Sequence, residues 1–150
     1  MVKKYLLNED YLYMSIDFGI KKIGFAIGQL ITKKANPLKI IYNHKEGINW
    51  DEIDDLVREW KPNIVIIGYP YSGSKNNFTK NLDIFISKFS SKYNGLLEVV
   101  IFSEVLSTEE SKLIYKDMRK SQYNISRKDD LDAFSASIIL QSWFNENMID

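Results

Sequence analysis

Cysteine is absent from the 150-residue chain, which excludes disulfides, thiolate nucleophiles and cysteine-ligated zinc. Histidine is reduced to His44, so a multi-histidine metal site is excluded and a serine triad has one available base. No glycine- or serine-rich stretch offers a linker, and the length suits one domain over 1–150, with 1–11 as an N-terminal extension. No apolar run approaches the length of a bilayer span, the longest being Ile64 to Ile67 with its flanks. After Lys3 and Lys4, the polar Asn8, Glu9 and Asp10 interrupt any signal-peptide pattern. These absences predict a cytoplasmic protein with no membrane partner. Neither sign of charge is in surplus, since twenty basic residues face twenty acidic ones, so any nucleic acid would be held by local basic patches. With cysteine absent and histidine reduced to one, the chemistry falls to carboxylates, most simply around a hard cation such as Mg²⁺.

The most informative segment is Tyr13 to Ile27, two strand-like runs joined by a basic turn, Gly19-Ile20-Lys21-Lys22, with Gly24 beyond it. Leu12, Met14, Ile16 and Phe18 alternate with Tyr13, Ser15 and Asp17, which puts Asp17 on the face opposite the four apolar side chains. A carboxylate on a covered sheet is costly unless it is hydrogen-bonded, paired or metal-bound, and Lys21 and Lys22 follow closely. Asp17 is therefore a candidate functional acid. The two lysines would neutralise phosphates entering beside it, or they simply decorate a turn.

Leu38 to Tyr42 reads as a third strand behind a loop containing Asn36-Pro37. Asn49 with Glu52 makes an N-cap for a helix carrying Ile53, Leu56, Val57 and Trp60, closed at Lys61-Pro62. Ile64 to Gly68 is a continuous apolar run typical of a strand covered on both faces. A polar loop over 70–77 follows, then an amphipathic helix bearing Phe78, Leu82, Phe85, Ile86 and Phe89, and a strand over Leu97 to Phe102. Capping patterns at Ser107/Glu110 and Ser126/Asp129 predict two more helices. The order is that of an α/β, ribonuclease-H-like fold: a five-stranded mixed sheet, antiparallel through its first three strands and parallel beyond, flanked by helices.

Glu104 follows the fifth strand at the carboxyl edge, where ligands of open sheets gather. Asp132, Ala136, Ile139 and Trp143 recur at helical spacing, which puts Asp132 at the head of an otherwise apolar stripe facing the sheet. Small residues around it permit a close approach of helix to sheet. Three acids from separate elements could hold two divalent ions about 4 Å apart, the arrangement used in phosphodiester hydrolysis. Asp129 reads instead as a cap. Arg119, Lys120, Arg127 and Lys128 either extend a phosphate-binding surface or form a solvated charge run. Tyr69, Tyr71 and Phe78 could stack on bases, although packing is the commoner role.

At these residues the chain resembles the YqgF (RuvX-like) family, described as Holliday-junction-resolvase-like and as processors of the small-subunit ribosomal RNA precursor. The resemblance rests on Asp17-Phe18-Gly19-Ile20-Lys21-Lys22-Ile23-Gly24, Gly68-Tyr69-Pro70, Ser103 to Thr108 and Asp132 to Gln141. It implies Asp17, Glu104 and Asp132 as catalytic and metal-binding residues, with Mg²⁺ or Mn²⁺. It also implies a nuclease acting on the 5′ end of pre-16S rRNA during ribosome biogenesis. Its partners would be nucleic acid, structured RNA or branched DNA, and the ribosomal precursor particle, with the chain a monomer or a homodimer. Lys21, Lys22, Arg127 and Lys128 are the expected substrate contacts. Ser103 and Val105 depart from the family's aspartate and arginine, which keeps open a catalytically weakened nucleic-acid-binding protein. A Holliday junction resolvase is the other alternative. An actin-like nucleotide-binding protein would pair two related domains, and no second copy of the motif is present.

Overall fold

The computed structural model describes residues 6–70, 75–103 and 128–147, with side chains of the last segment from Phe134 onward. The elements are β1 (Tyr13–Asp17), β2 (Lys22–Gln29), β3 (Lys34–Tyr42), α1 (Trp50–Trp60), β4 (Ile64–Tyr69), α2 (Asn77–Lys92), β5 (Glu98–Ser103) and α3 (Lys128–Asn147). The strands form one sheet in the order β3-β2-β1-β4-β5. The β1–β2 and β2–β3 pairs are antiparallel, and β4 runs parallel to both β1 and β5. This is the predicted mixed sheet. The predicted helix beginning at Ser107 lies outside the described residues.

Strand alternation sorts the core into two layers. Met14, Ile16, Phe18, Val65 and Ile67 bury toward α1 and α2, against Ile53, Leu56, Leu82, Phe85 and Phe89. Tyr13, Ile64 and Ile66 bury on the other face against Phe134, Leu140, Trp143 and Phe144 of α3. Leu6 is buried in this second layer, and the Tyr13 hydroxyl donates to its carbonyl oxygen while accepting from Asn8 N–H at 3.1 Å. Burial pushes the Tyr13 phenol up from its ordinary pKa.

The helix ends follow their local chemistry. Asn49 Oδ1 accepts from Glu52 N–H at 3.3 Å and caps α1, which closes at Lys61 in the left-handed region (φ 47°) just before Pro62. At α2, Asn76 Oδ1 accepts from Thr79 N–H at 2.9 Å while Thr79 Oγ1 accepts from Asn76 N–H at 2.8 Å, a reciprocal capping box.

The third strand starts at Lys34, four residues before its expected start, and takes in Asn36-Pro37. Among the described strands β3 lies at one end of the sheet, where a residue without an N–H is tolerated on the open side. A register shift takes up one extra residue: Phe25 pairs with Lys39 and Ala26 with Pro37, with Leu38 between them. The start of β3 is clamped to α3, because Gln141 Oε1 accepts from Ala35 N–H at 3.0 Å and its amide donates to Lys33 O at 2.9 Å. The fifth strand is displaced by one residue from its expected bounds and ends at Ser103.

Candidate active site

Asp17 is the last residue of β1, half-buried, at the edge where the parallel strands β1, β4 and β5 all end. It lies on the sheet face shared by Tyr13 and Ser15, the α3 face, as the alternation predicts. Its neighbour Phe18 turns to the opposite face and is buried there, with ring centroids 5.0 Å from Phe85 and 5.9 Å from Phe78. That aromatic anchor fixes the end of β1 and so the origin of the Asp17 side chain.

The helix α3 comes unusually close to this part of the sheet. Ser15 Oγ donates to Ala136 O at 2.6 Å within the buried interior. A Cβ at Gly68 would lie 2.5 Å from Ile139 Cδ1, so with Ile139 placed as it is glycine lets α3 pack directly on β4. By register Gly68 pairs with Phe102 of β5 and follows Ile67, the last residue before the β1 pairing ends at Ile16. The result is a cavity of about 220 Å³ lined by Asp17, Phe18, Gly68, Tyr69, Pro70, Phe78, Phe102 and Ile139. A second depression of about 270 Å³ on the turn side is lined by Asp17, Phe18, Gly19, Lys21, Lys22 and Gly24. Asp17 borders both, so a hard anionic donor sits between an apolar recess and two ammonium groups.

Of the predicted site residues, the structure brings together Asp17, Lys21 and Lys22. Lys21 is exposed; Lys22 is half-buried, with Nζ 5.9 Å from the centroid of the Tyr42 ring. Glu104 and Arg127 lie outside the described residues, as does Tyr71. Asp132 and Lys128 fall within α3, residue 132 one helical turn before Ala136, but their side chains are outside the described set. Among the described residues no three acids or histidines cluster. His44 is exposed in a turn bridged to Gly47.

One polar network beside the cavity is not legible in the sequence. The Tyr69 hydroxyl donates to Asp83 Oδ1 at 2.8 Å, and Lys75 Nζ donates to Asp83 Oδ2 at 2.9 Å and to the Tyr69 oxygen at 3.2 Å. The ammonium also lies 5.7 Å from the Tyr69 ring centroid. Lys75 holds the Asp83 carboxyl below its ordinary value, and Asp83 in turn raises Lys75. The network fixes Tyr69 at the cavity wall and ties the segment entering α2 to the end of β4. Phe78, a candidate for base stacking, packs on Phe18.

The sheet order, the mixed strand directions and the acid at the carboxyl edge define a ribonuclease-H-like protein. Solved structures of that fold superpose along most of the chain. Thermus thermophilus RuvC in complex with a Holliday junction substrate has a TM-score of 0.63 at 12% identity, covering 92% of this chain and 96% of RuvC. The fowlpox virus resolvase in complex with Holliday junction DNA has a TM-score of 0.56 at 17% identity, covering 92% of this chain and 99% of the resolvase. The model of the RuvX family, described as Holliday junction resolvase, matches residues 11–146, and the chain belongs to that family. A relative from Saccharophagus degradans, named "Putative pre-16S rRNA nuclease", is 38% identical over 140 residues, spanning 89% of this chain and 93% of that protein. A relative of the same name from Buchnera aphidicola is 33% identical over 137 residues, spanning 90% and 98%.

Proposed function

We propose that this chain is a divalent-metal-dependent nuclease that hydrolyses phosphodiester bonds in structured RNA, acting at the 5′ end of pre-16S rRNA in the cytoplasm. The observation that carries this reading is the placement of Asp17 at the carboxyl edge of the sheet, between the α3-walled cavity and the Lys21–Lys22 turn. Family membership and the names of the relatives support it.

The donor chemistry fits a hard cation. Asp17 offers carboxylate oxygens, the chain has no cysteine, and the one histidine is exposed in a separate turn. Asp17, Glu104 and Asp132 are the residues assigned to hold Mg²⁺ or Mn²⁺. When bound, a pair of such ions activates water and stabilises the leaving oxygen.

The remaining roles belong to the chain itself. Lys21 and Lys22 draw the phosphate backbone toward Asp17 by charge, with Arg127 and Lys128 as further phosphate contacts. Glycine at position 68 lets Ile139 of α3 pack close to β4, and Phe18, Phe102 and Ile139 form apolar walls of the recess beside the acid. The chain acts as one nuclease domain on a nucleic-acid partner within the ribosomal precursor particle, as a monomer or homodimer. Among the described residues no helix is long and apolar enough to cross a membrane.

A second reading, cleavage of four-way DNA junctions, is favoured by the family description and by the junction-bound structural neighbours. The two are separated by incubating the protein with a pre-16S rRNA fragment and with a four-way DNA junction, each in Mg²⁺, Mn²⁺ or EDTA. Metal-dependent cleavage of the RNA is expected. Cleavage of the junction alone would replace the first reading by the second. Metal-independent binding of RNA with no cleavage of either substrate would replace both by a binding role.

A further inference from the structure

The turn that brings Lys21 and Lys22 beside Asp17 has its exposed carbonyl groups tied to a single distant residue. Asn43, directly after β3, donates from Nδ2 to Gly19 O at 3.2 Å and to Ile20 O at 2.9 Å. Its backbone N–H donates to Lys21 O at 2.9 Å. Three consecutive carbonyls therefore converge on one asparagine. The remaining amide oxygen, Oδ1, faces Asn49 N–H at 3.4 Å, and Asn49 is the N-cap of α1. The Asn49 amide reaches back to Tyr42 O at 3.3 Å, and the Tyr42 ring lies beneath Lys22 Nζ. The basic turn is thus suspended from the β3–α1 corner.

The turn has little slack of its own. A Cβ at Gly19 would lie 2.3 Å from Lys22 O, so the chain folds back on itself there at a distance only glycine permits. The turn has no apolar anchor at its tip, because Ile20 is 56% exposed and Lys21 is exposed. Strand pairing holds its two ends, at Asp17–Gly24 and Lys22–Tyr42, and the carbonyl ties hold the residues between. Asn43 is not among the residues lining either depression at Asp17, and its side-chain amide is turned to the carbonyls of the turn.

We infer that Asn43 is a positioning residue for phosphate recognition: by fixing the Gly19–Lys22 turn it sets the two ammonium groups where a nucleic-acid phosphate beside Asp17 can meet them. The inference rests on the nuclease reading for the identity of the ligand. Only an amide does this work at position 43, because two N–H donors must reach two carbonyls while an acceptor remains for Asn49.

The test is equilibrium binding of a fluorescent RNA hairpin, in EDTA so that cleavage plays no part, to wild type, Asn43→Ala, Lys21→Ala/Lys22→Ala and the triple variant. Amide hydrogen exchange of the free proteins is followed in parallel. Asn43→Ala is expected to weaken binding by up to about tenfold, because a turn released from its two side-chain hydrogen bonds must be re-ordered when the phosphate binds. Added to the double lysine variant it should cost less than about twofold, because a residue acting through the lysines has nothing left to position. Exchange should rise in the Gly19–Lys22 turn and not in β1 or α3. Additive losses, unchanged affinity, or exchange rising throughout the protein would overturn the positioning role, as would a wild type that binds no RNA. A wild type that binds with the expected pattern yet cleaves nothing in Mg²⁺ or Mn²⁺ would refute the nuclease reading and leave the role of Asn43 standing.

Discussion

Replacing Gly68 by alanine tests the close approach of α3 to the sheet on which the candidate site depends. The added Cβ would meet Ile139 Cδ1 at 2.5 Å and Cγ1 at 3.2 Å, the first about 1 Å inside ordinary carbon–carbon contact. Relief requires either a change of Ile139 rotamer or a small outward shift of α3, and Ser15, bonded to Ala136 O one turn away, resists the shift. Overpacking of this kind costs about 1–3 kcal/mol. For a chain of this size that corresponds to a fall in Tm of roughly 2–12 °C. The assay is thermal and urea unfolding of Gly68→Ala, Ile139→Val and the double variant. Ile139→Val removes the colliding Cδ1 and alone costs about 0.5–1.5 kcal/mol. The double variant should therefore be more stable than the sum of the single effects predicts. Coupling of about 1 kcal/mol or more is expected; additivity within about 0.5 kcal/mol, or an unperturbed Gly68→Ala, would refute the steric reasoning.

Two further outcomes follow from the polar contacts. Tyr13→Phe removes the hydroxyl that pairs both Leu6 O and Asn8 N–H and should cost about 1–3 kcal/mol in urea unfolding, with faster exchange at residues 6–11. Asp83 is held below its ordinary carboxylate value of 3.8 by Lys75, so its contribution is present above that pH and is lost as pH falls through the lower folded-state value. The Tm difference between wild type and Asp83→Asn should accordingly be small, level between pH 5 and 8, and absent in strong acid. The pair is on the surface, so salt should shrink it. A difference that grew as pH fell would contradict the assignment.

The legible parts of the fold were those written in local pattern. Period-two alternation placed Asp17 on the face of β1 opposite Met14, Ile16 and Phe18, and an unbroken apolar run marked β4 as covered on both sides. Asn49 and Glu52 announced the start of α1. The start of β3 was hidden because proline is a strand breaker everywhere except at an open edge or a bulge, and whether a strand is an edge is a property of the sheet. The cap of α2 was missed since its partner at the third position is Thr79, not the glutamate or glutamine of the usual pattern. At the site, the acid and the basic turn were visible because they are adjacent in sequence. The Tyr69–Lys75–Asp83 network has no periodic signal; it exists because α2 packs back beside the end of β4. The same holds for Asn43, which meets its turn from 23 and 24 residues away.

The proposed activity requires that Asp17, with Glu104 and Asp132, hold divalent metal for phosphodiester cleavage. The most direct test is calorimetric Mn²⁺ binding together with cleavage of a pre-16S rRNA fragment, comparing wild type with Asp17→Asn, Glu104→Gln and Asp132→Asn, and with Asp129→Asn as a control assigned to helix capping. Each of the first three variants is expected to fold, lose Mn²⁺ binding and lose cleavage, while Asp129→Asn retains both. Cleavage that survives Asp17→Asn, or Mn²⁺ bound equally by all four variants, would contradict that requirement.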